Sequence, residues 1–435
     1  MSLVNVVHAQ SQLVTKGECE IFHIPPTQIS IESCENQVFY PTSTITGGES
    51  TIEWNVSNLS DLYVDLSSLW LNIRMQILRS DGSEPTTRTP AIVEDGVFPV
   101  NNLGAALFKY VNVYLNQRLV SSNCLNSYRC MLDTLLHTNP CVQRTVDDCA
   151  MYIHDPGENG PLDNQSKSIR ARINRTKGGK VFEILVKVNT DITNQSKLLL
   201  PGVDLRIVAQ HNTDAFRLLT FDTETRKHQI KFLNAALTLR KVKVSHSTFL
   251  AHQKELRSRP ACYVMRGLES KVRSIAPGSL DTTIENLYND RVPDRLTVVL
   301  VSTESFQGNL KLSPFWFEHF NISSASLTLD GYRKQYTYDW ENDLSREAYF
   351  SLLSELNEKH VELSYHKYKH NSFIMHWNLS ADESNASSYF SPIMKKNVRI
   401  ELKFAKPLSK AVSVILISET PRILSVDGDL VVRID

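Results

Sequence analysis

Histidines and cysteines are the first places to look for chemistry in this chain. His360, His366, His370 and His376 lie close in sequence. His366 and His370 would share one face of a helix, a spacing that lets two imidazoles reach one metal ion. Tyr365, Tyr368, Phe373 and Trp377 interleave them, which reads instead as an aromatic contact loop. Cys124, Cys130, Cys141 and Cys149, with His137 and His154 nearby, form a second donor set, but their intervals match no zinc finger or ribbon and read as small free thiols, buried or half-buried. A basic run, Lys167, Arg170, Arg172, Arg175, Lys177 and Lys180, has no acidic residue between Asn164 and Phe182. Gly178-Gly179 suggests a hairpin tip within it. Such a strip touches DNA or an acidic patch on a neighbouring protein, or is a solvated basic face. No P-loop, dinucleotide-binding glycine fingerprint, nucleophile elbow, HExxH or His-x-His sequence occurs. The expectation is therefore a protein with no catalytic residue, no cofactor and no bound metal.

The elements that must carry these residues follow from length and pattern. At 435 residues the chain suits two domains of roughly 200 residues better than one. With 41% apolar and 22% charged residues it has the material for a core. Lys and Arg total 47, as do Asp and Glu, so no net charge draws it to nucleic acid or an anionic membrane. No apolar window is long enough for a membrane span and the first thirty residues lack a secretory signal, so a soluble protein made in the cytosol is expected, with thiols reduced.

Period-two alternation is the dominant signal. Leu71, Ile73, Met75 and Ile77 are separated by Asn72, Arg74 and Gln76 and run into Asp81-Gly82. Val111, Val113 and Leu115 repeat the pattern before Asn116, and strands are also legible in Phe182 to Val188, Val203 to Ala209, Ala325 to Leu329 and Val398 to Phe404. Leu237 and Leu239 lie one phase away from Val242 and Val244, which predicts a bulge near Arg240 and Lys241. Val412 to Ile417 is nearly all apolar, as in a strand covered on both faces. One helix is expected at Met131 to Leu136, with Ser127 as its cap, and another over Arg346 to Leu356.

The order strand, turn, tyrosines, helix and late alternating strand occurs twice. We read this as a tandem duplication joined around Phe221 to Lys231, where charge replaces the apolar pattern. The fold expected is all-β: two tandem jelly-roll sandwiches with long loops and short helices. The expected divisions are an N-terminal arm over 1–29, a first jelly roll over 30–225, a second over 226–420 and a tail over 421–435. Polar intervals at Pro140 to Ser168 and Asn357 to Pro392 read as long functional loops. In the second, Tyr365, Tyr368, Phe373, Trp377, Tyr389 and Phe390 are candidates for a buried subunit interface.

An ordered set of short segments resembles a specific family. Phe22-His23-Ile24-Pro25-Pro26-Thr27-Gln28, Tyr63-Val64-Asp65-Leu66, Val111-Asn112-Val113-Tyr114-Leu115-Asn116, Leu200-Pro201-Gly202-Val203-Asp204-Leu205, Leu250-Ala251-His252, Pro314-Phe315-Trp316-Phe317 and Glu401-Leu402-Lys403-Phe404 are similar to double jelly-roll major capsid proteins of Polinton (Maverick) elements and adintoviruses, in the adenovirus-like lineage. The resemblance spans about Glu20 to Glu419. It implies a hexon-like homotrimeric capsomer of pseudo-sixfold outline that tiles an icosahedral shell around double-stranded DNA, with a penton protein as a separate partner. It further implies a place in the virion capsid, with synthesis in the host cytoplasm and assembly in the nucleus. A lectin-like, carbohydrate-binding jelly-roll module is the alternative.

Overall fold

A computed structural model describes residues 10–12, 14–42, 51–59, 61–85, 87–88, 92–93, 96–155, 160, 162, 166–221, 227–288, 291–356, 361–383 and 389–435. The first sandwich is built from β1 (Ile31–Phe39), β2 (Thr51–Val56), β3 (Tyr63–Arg79), β4 (Phe108–Leu115), β5 (Arg118–Asn123), β6 (Phe182–Lys187), β7 (Leu205–His211) and β8 (His228–Val244). The second uses β9 (Ala261–Ile275), β10 (Asp281–Ile284), β11 (Arg295–Ser302), β12 (Ile322–Leu329), β13 (Tyr332–Thr337), β14 (Ile374–Asn378), β15 (Val398–Phe404) and β16 (Val412–Val426), with a short β17 (Val432–Ile434) added to β16.

The sheets of the first half run β1-β8-β3-β6 and β2-β7-β4-β5, and those of the second run β9-β16-β11-β14 and β10-β15-β12-β13. Adding eight to each strand number of the first half reproduces the second. The fold is a double jelly roll, as the alternation and the repeated order of elements lead one to expect.

Each strand forms for the reason its pattern gives. In β3, Leu69, Leu71, Ile73, Met75 and Ile77 face the core while Arg74 stays exposed, and the strand ends at the Asp81-Gly82 turn, where Asp81 Oδ1 accepts from the Ser83 backbone N–H at 2.8 Å. Each such buried apolar side chain contributes roughly 1.5–3 kcal/mol. Trp54 on β2 crosses the sandwich, and its indole N–H donates to Ala235 O on β8 at 2.9 Å. The β4–β5 hairpin turns through Asn116 and Gln117, at φ 45° and 66°; the equivalent β12–β13 hairpin turns through Asp330 and Gly331, at 45° and 89°. Tight two-residue hairpins call for this pair of left-handed residues. Val412–Ile417 in β16 is buried throughout, between β9 and β11.

Helices concentrate in the two connections that precede β6 and β14. The first carries α1 (Asn126–Leu136), α2 (Pro140–Cys149) and α3 (Lys167–Thr176); α4 (His246–Leu256) joins the halves; the second connection carries α5 (Arg346–Leu356) and α6 (Tyr365–His370). Ser127 does not cap α1. Its hydroxyl donates to Phe108 O at 3.0 Å, and the helix starts after Leu125.

Three expected boundaries shift. β8 pairs with β1 and β3, so the first sandwich extends to Val244 and the change-over lies across α4 rather than at 225. Of the expected join at Phe221 to Lys231, residues 222–226 lie outside the described residues, and His228 to Lys231 already form the start of β8. The expected tail at 421–435 belongs to the sheet: β16 runs on to Val426, β17 pairs with it, and Leu424, Val426 and Val432 pack into the core that the first sandwich begins. The bulge in β8 falls between Thr238 and Arg240. β1 starts at Ile31, and of the expected arm over 1–29, residues 1–9 and 13 lie outside the described residues.

Candidate functional site

The basic run is a helix. Ile169 and Ile173 stand one turn apart and dock on the protein, and the Ser166 hydroxyl caps the first turn by accepting from the Ile169 N–H at 3.4 Å. Gly178 and Gly179, both at φ 67°, end it in place of the expected hairpin tip. The helix then splits the cations. Arg172 points inward, with its Nη1 donating to Pro99 O at 2.6 Å and its guanidinium 5.4 Å from the centre of the Phe98 ring. Arg175 makes a two-pronged pair with Asp148, at 2.8 and 2.9 Å. Lys167, Arg170, Lys177 and Lys180 remain exposed. A single six-residue cationic strip is therefore corrected to four outward cations and two structural ones.

The aromatic segment is corrected in the same way. The expected loop contains strand β14, whose five residues are all buried, with α5 packed against it. Phe373 and Trp377 are wholly inaccessible and Tyr368 is 1% exposed, so these three belong to the chain's own core and offer nothing to a neighbour. Phe373 meets Tyr338, Trp340 and Tyr368 at ring separations of 5.4, 5.6 and 5.4 Å. Tyr365 is half-buried, its hydroxyl donating to Asp343 Oδ1 at 3.2 Å under the Arg346 guanidinium. Of the six aromatics, Tyr389 and Phe390 are the exposed ones, at 55% and 48%.

Sequence reasoning found neither of the features that join the two halves. Tyr128 on α1 lies in an aromatic cluster with Phe216, Phe306, Phe315 and Phe317, with ring separations of 5.8 to 6.4 Å, so the Phe315/Phe317 motif is core filling between sandwiches. Beside it, Arg129 Nη1 pairs with Asp191 Oδ1 at 2.7 Å, both nearly inaccessible, and the second Asp191 oxygen accepts from the Leu268 N–H of β9 at 3.4 Å. This corner opens into a cleft of about 730 Å³ whose walls come from both halves and whose rim includes Tyr389 and Phe390. Arg266 and Arg295 face Glu419 there at 3.9 and 3.6 Å, while burial raises the Asp294 carboxyl. With both signs interleaved the cleft has no single-sign field for a polyanion.

The histidines do not converge. His366 and His370, both exposed on α6, lie with ring centres 4.3 Å apart at a tilt, whereas His376 is buried in β14 with its Nδ1 2.9 Å from the Thr297 hydroxyl. Burial and the nearby Arg295 charge push His376 down to about 3. His319, stacked on Trp340, is pushed down to about 4, chiefly by burial. His360 lies outside the described residues. All seven cysteines are free, but the expected burial of the cluster holds for Cys130 alone, whose thiol is pushed up to about 12 by burial, while Cys124, Cys141 and Cys149 are exposed. Among the described residues no three His, Cys, Asp or Glu side chains come together as a metal site. No described helix is long and apolar enough to cross a membrane.

No protein-family profile matches the chain. Its similarity to proteins of known structure is one of fold, the double jelly roll. A structure of the Sputnik virophage superposes with a TM-score of 0.66 at 10% identity, covering 99% of this chain and 94% of that one. The mavirus major capsid protein gives 0.59 at 9% identity, covering 99% and 97%. The Faustovirus major capsid protein gives 0.56 at 9% identity, covering 96% and 93%. In sequence, the chain is 22% identical over 376 residues to the uncharacterized protein F54H12.2 of Caenorhabditis elegans, covering 82% of this chain and 86% of that one.

Proposed function

We propose that this chain is a major capsid protein, structural rather than catalytic, three copies of which form a pseudo-hexameric capsomer of an icosahedral shell around double-stranded DNA. The observation that carries the reading is the fusion, in one chain, of two eight-stranded sandwiches with identical strand order, matched over almost its full length by capsid proteins. Three doubled units present six similar sandwiches, so a threefold assembly can fill a near-hexagonal lattice. The sequence motifs favour the Polinton/adintovirus branch, and a nematode relative is in keeping with an element carried in animal genomes. A penton protein, cytoplasmic synthesis and nuclear assembly accompany this reading. Light scattering of the purified chain tests it: a particle of three times 49.4 kDa is expected, with a six-lobed outline in negative-stain micrographs. A monomer that binds glycans would overturn it in favour of a lectin-like module.

A further inference from the structure

At the contact between the two helical connections lies a cavity of about 40 Å³, lined by Arg172 of α3 and Lys367 of α6. Both side chains are almost wholly buried, 3% and 4% exposed. The Lys367 ammonium has three N–H donors, and among the described residues it makes one hydrogen bond, to the Tyr152 hydroxyl at 2.8 Å. Arg172 donates to two backbone carbonyls, Pro99 O and Ser168 O. Among the described residues, neither cation has a carboxylate oxygen within 4.0 Å.

Two carboxylates act on the pair from further away. Asp155 lines the same cavity and accepts from the Ser166 hydroxyl at 3.3 Å; Glu362 is paired with Arg144 of α2 at 3.0 Å. Burial lowers the ammonium to about 8 and the guanidinium to about 10, so at neutral pH both stay charged. Among the described residues two buried cations thus share one carboxylate that lines the cavity, and an uncompensated buried charge is costly.

We propose that this cavity binds a small monovalent anion of the halide class, held between the Lys367 ammonium and the Arg172 guanidinium. One negative charge balances the excess. The volume admits about three water-sized spheres, which excludes a nucleotide. Met131, Leu219 and Phe315 form apolar wall, which suits a weakly hydrated anion better than a doubly charged oxyanion. Because Arg172 belongs to the first half and Lys367 to the second, the anion joins the two sandwiches where their cations would otherwise repel.

The test uses the full chain. Replacing gluconate by bromide at constant ionic strength raises the midpoint of thermal unfolding saturably, by about 2 °C, and Lys367→Met loses that response. Bromide-soaked crystals of the unmodified protein show an anomalous peak between Lys367 Nζ and Arg172, which decides the matter even where the variant does not fold. No peak at saturating bromide, an equal halide response in Lys367→Met, or a response to phosphate alone overturns the assignment.

Discussion

At the residue scale, Phe373 and Trp377 change role between sequence and structure. Both are aromatic and sit amid polar residues, which reads as a sticky loop, yet both are fully enclosed by their own chain. Phe373→Ala or Trp377→Ala is expected to cost about 3–5 kcal/mol of folding stability, measured by chemical denaturation at a protein concentration low enough to keep the chain dissociated. A variant of undiminished stability that merely failed to assemble would return these rings to an interface. His376 gives a pH signature. Its folded pKa lies near 3 while the unfolded value is about 6.5. Between those values the unfolded chain binds the extra proton, so stability rises with pH and is lost as pH falls from about 6.5 toward 3. Thermal unfolding at about pH 7 and about pH 5 is expected to show a smaller acid drop in His376→Gln than in the unmodified chain, because glutamine keeps a hydrogen bond to Thr297 and cannot take up a proton.

At the scale of elements, α3 shows how a helix sorts a run of like charge. Its docking face is set by Ile169 and Ile173, and the helical period carries Arg172 to that face while Lys167 and Arg170 turn outward. Charge reversal at Arg172 should therefore abolish soluble folded protein, whatever the helix faces. Reversal at Lys167, Arg170 and Lys177 is the informative variant for a DNA-facing surface: assembly intact and DNA content of particles reduced, as read from the 260/280 nm absorbance ratio. Equal DNA content would leave these cations as a solvated face. The buried pair Arg129–Asp191 holds α1 to the segment before β7 and, through Leu268, to β9. Asp191→Ala strands a buried guanidinium and is expected to cost about 3–5 kcal/mol, whereas an exposed pair such as Lys406–Glu341 contributes little.

For the whole molecule, the two sandwiches are topological copies but not independent bodies. The Tyr128–Phe315 contact and the packing of Leu424 and Val426 with the first sandwich place apolar surface of each half against the other. Chains split at 257 and expressed separately should aggregate or lack cooperative unfolding; two soluble halves, each with its own sharp transition, would contradict a shared core. Assembly is tested on the side chains the fold leaves outside. Tyr389→Ser with Phe390→Ser is expected to shift a trimer toward monomer in light scattering while leaving the monomer's melting point nearly unchanged, the pattern of an interface and not of a core.

The strands, their turns and their doubling were legible because they are local: Leu71 to Ile77, Val111 to Leu115 and Asp330-Gly331 declare themselves through period two and turn chemistry, and the same order read twice implies a duplicated unit. The seven cysteines likewise needed no structure to be read as free thiols. Three-dimensional packing decided what covers each apolar face, which alternation does not encode. β14 looked like loop because it is short and carries His376 and Asn378, polar residues that the fold buries together with Met375 and Trp377. The end of the first jelly roll was misread at 225 because its last strand pairs with β1, some two hundred residues earlier, and no local pattern records so distant a partner. Arg172 and Arg175 differ by less than one helical turn in sequence, yet one donates to buried carbonyls and the other to a surface carboxylate. That difference is set by helix phase and by which neighbours the fold brings to each side, so only tertiary structure could assign it.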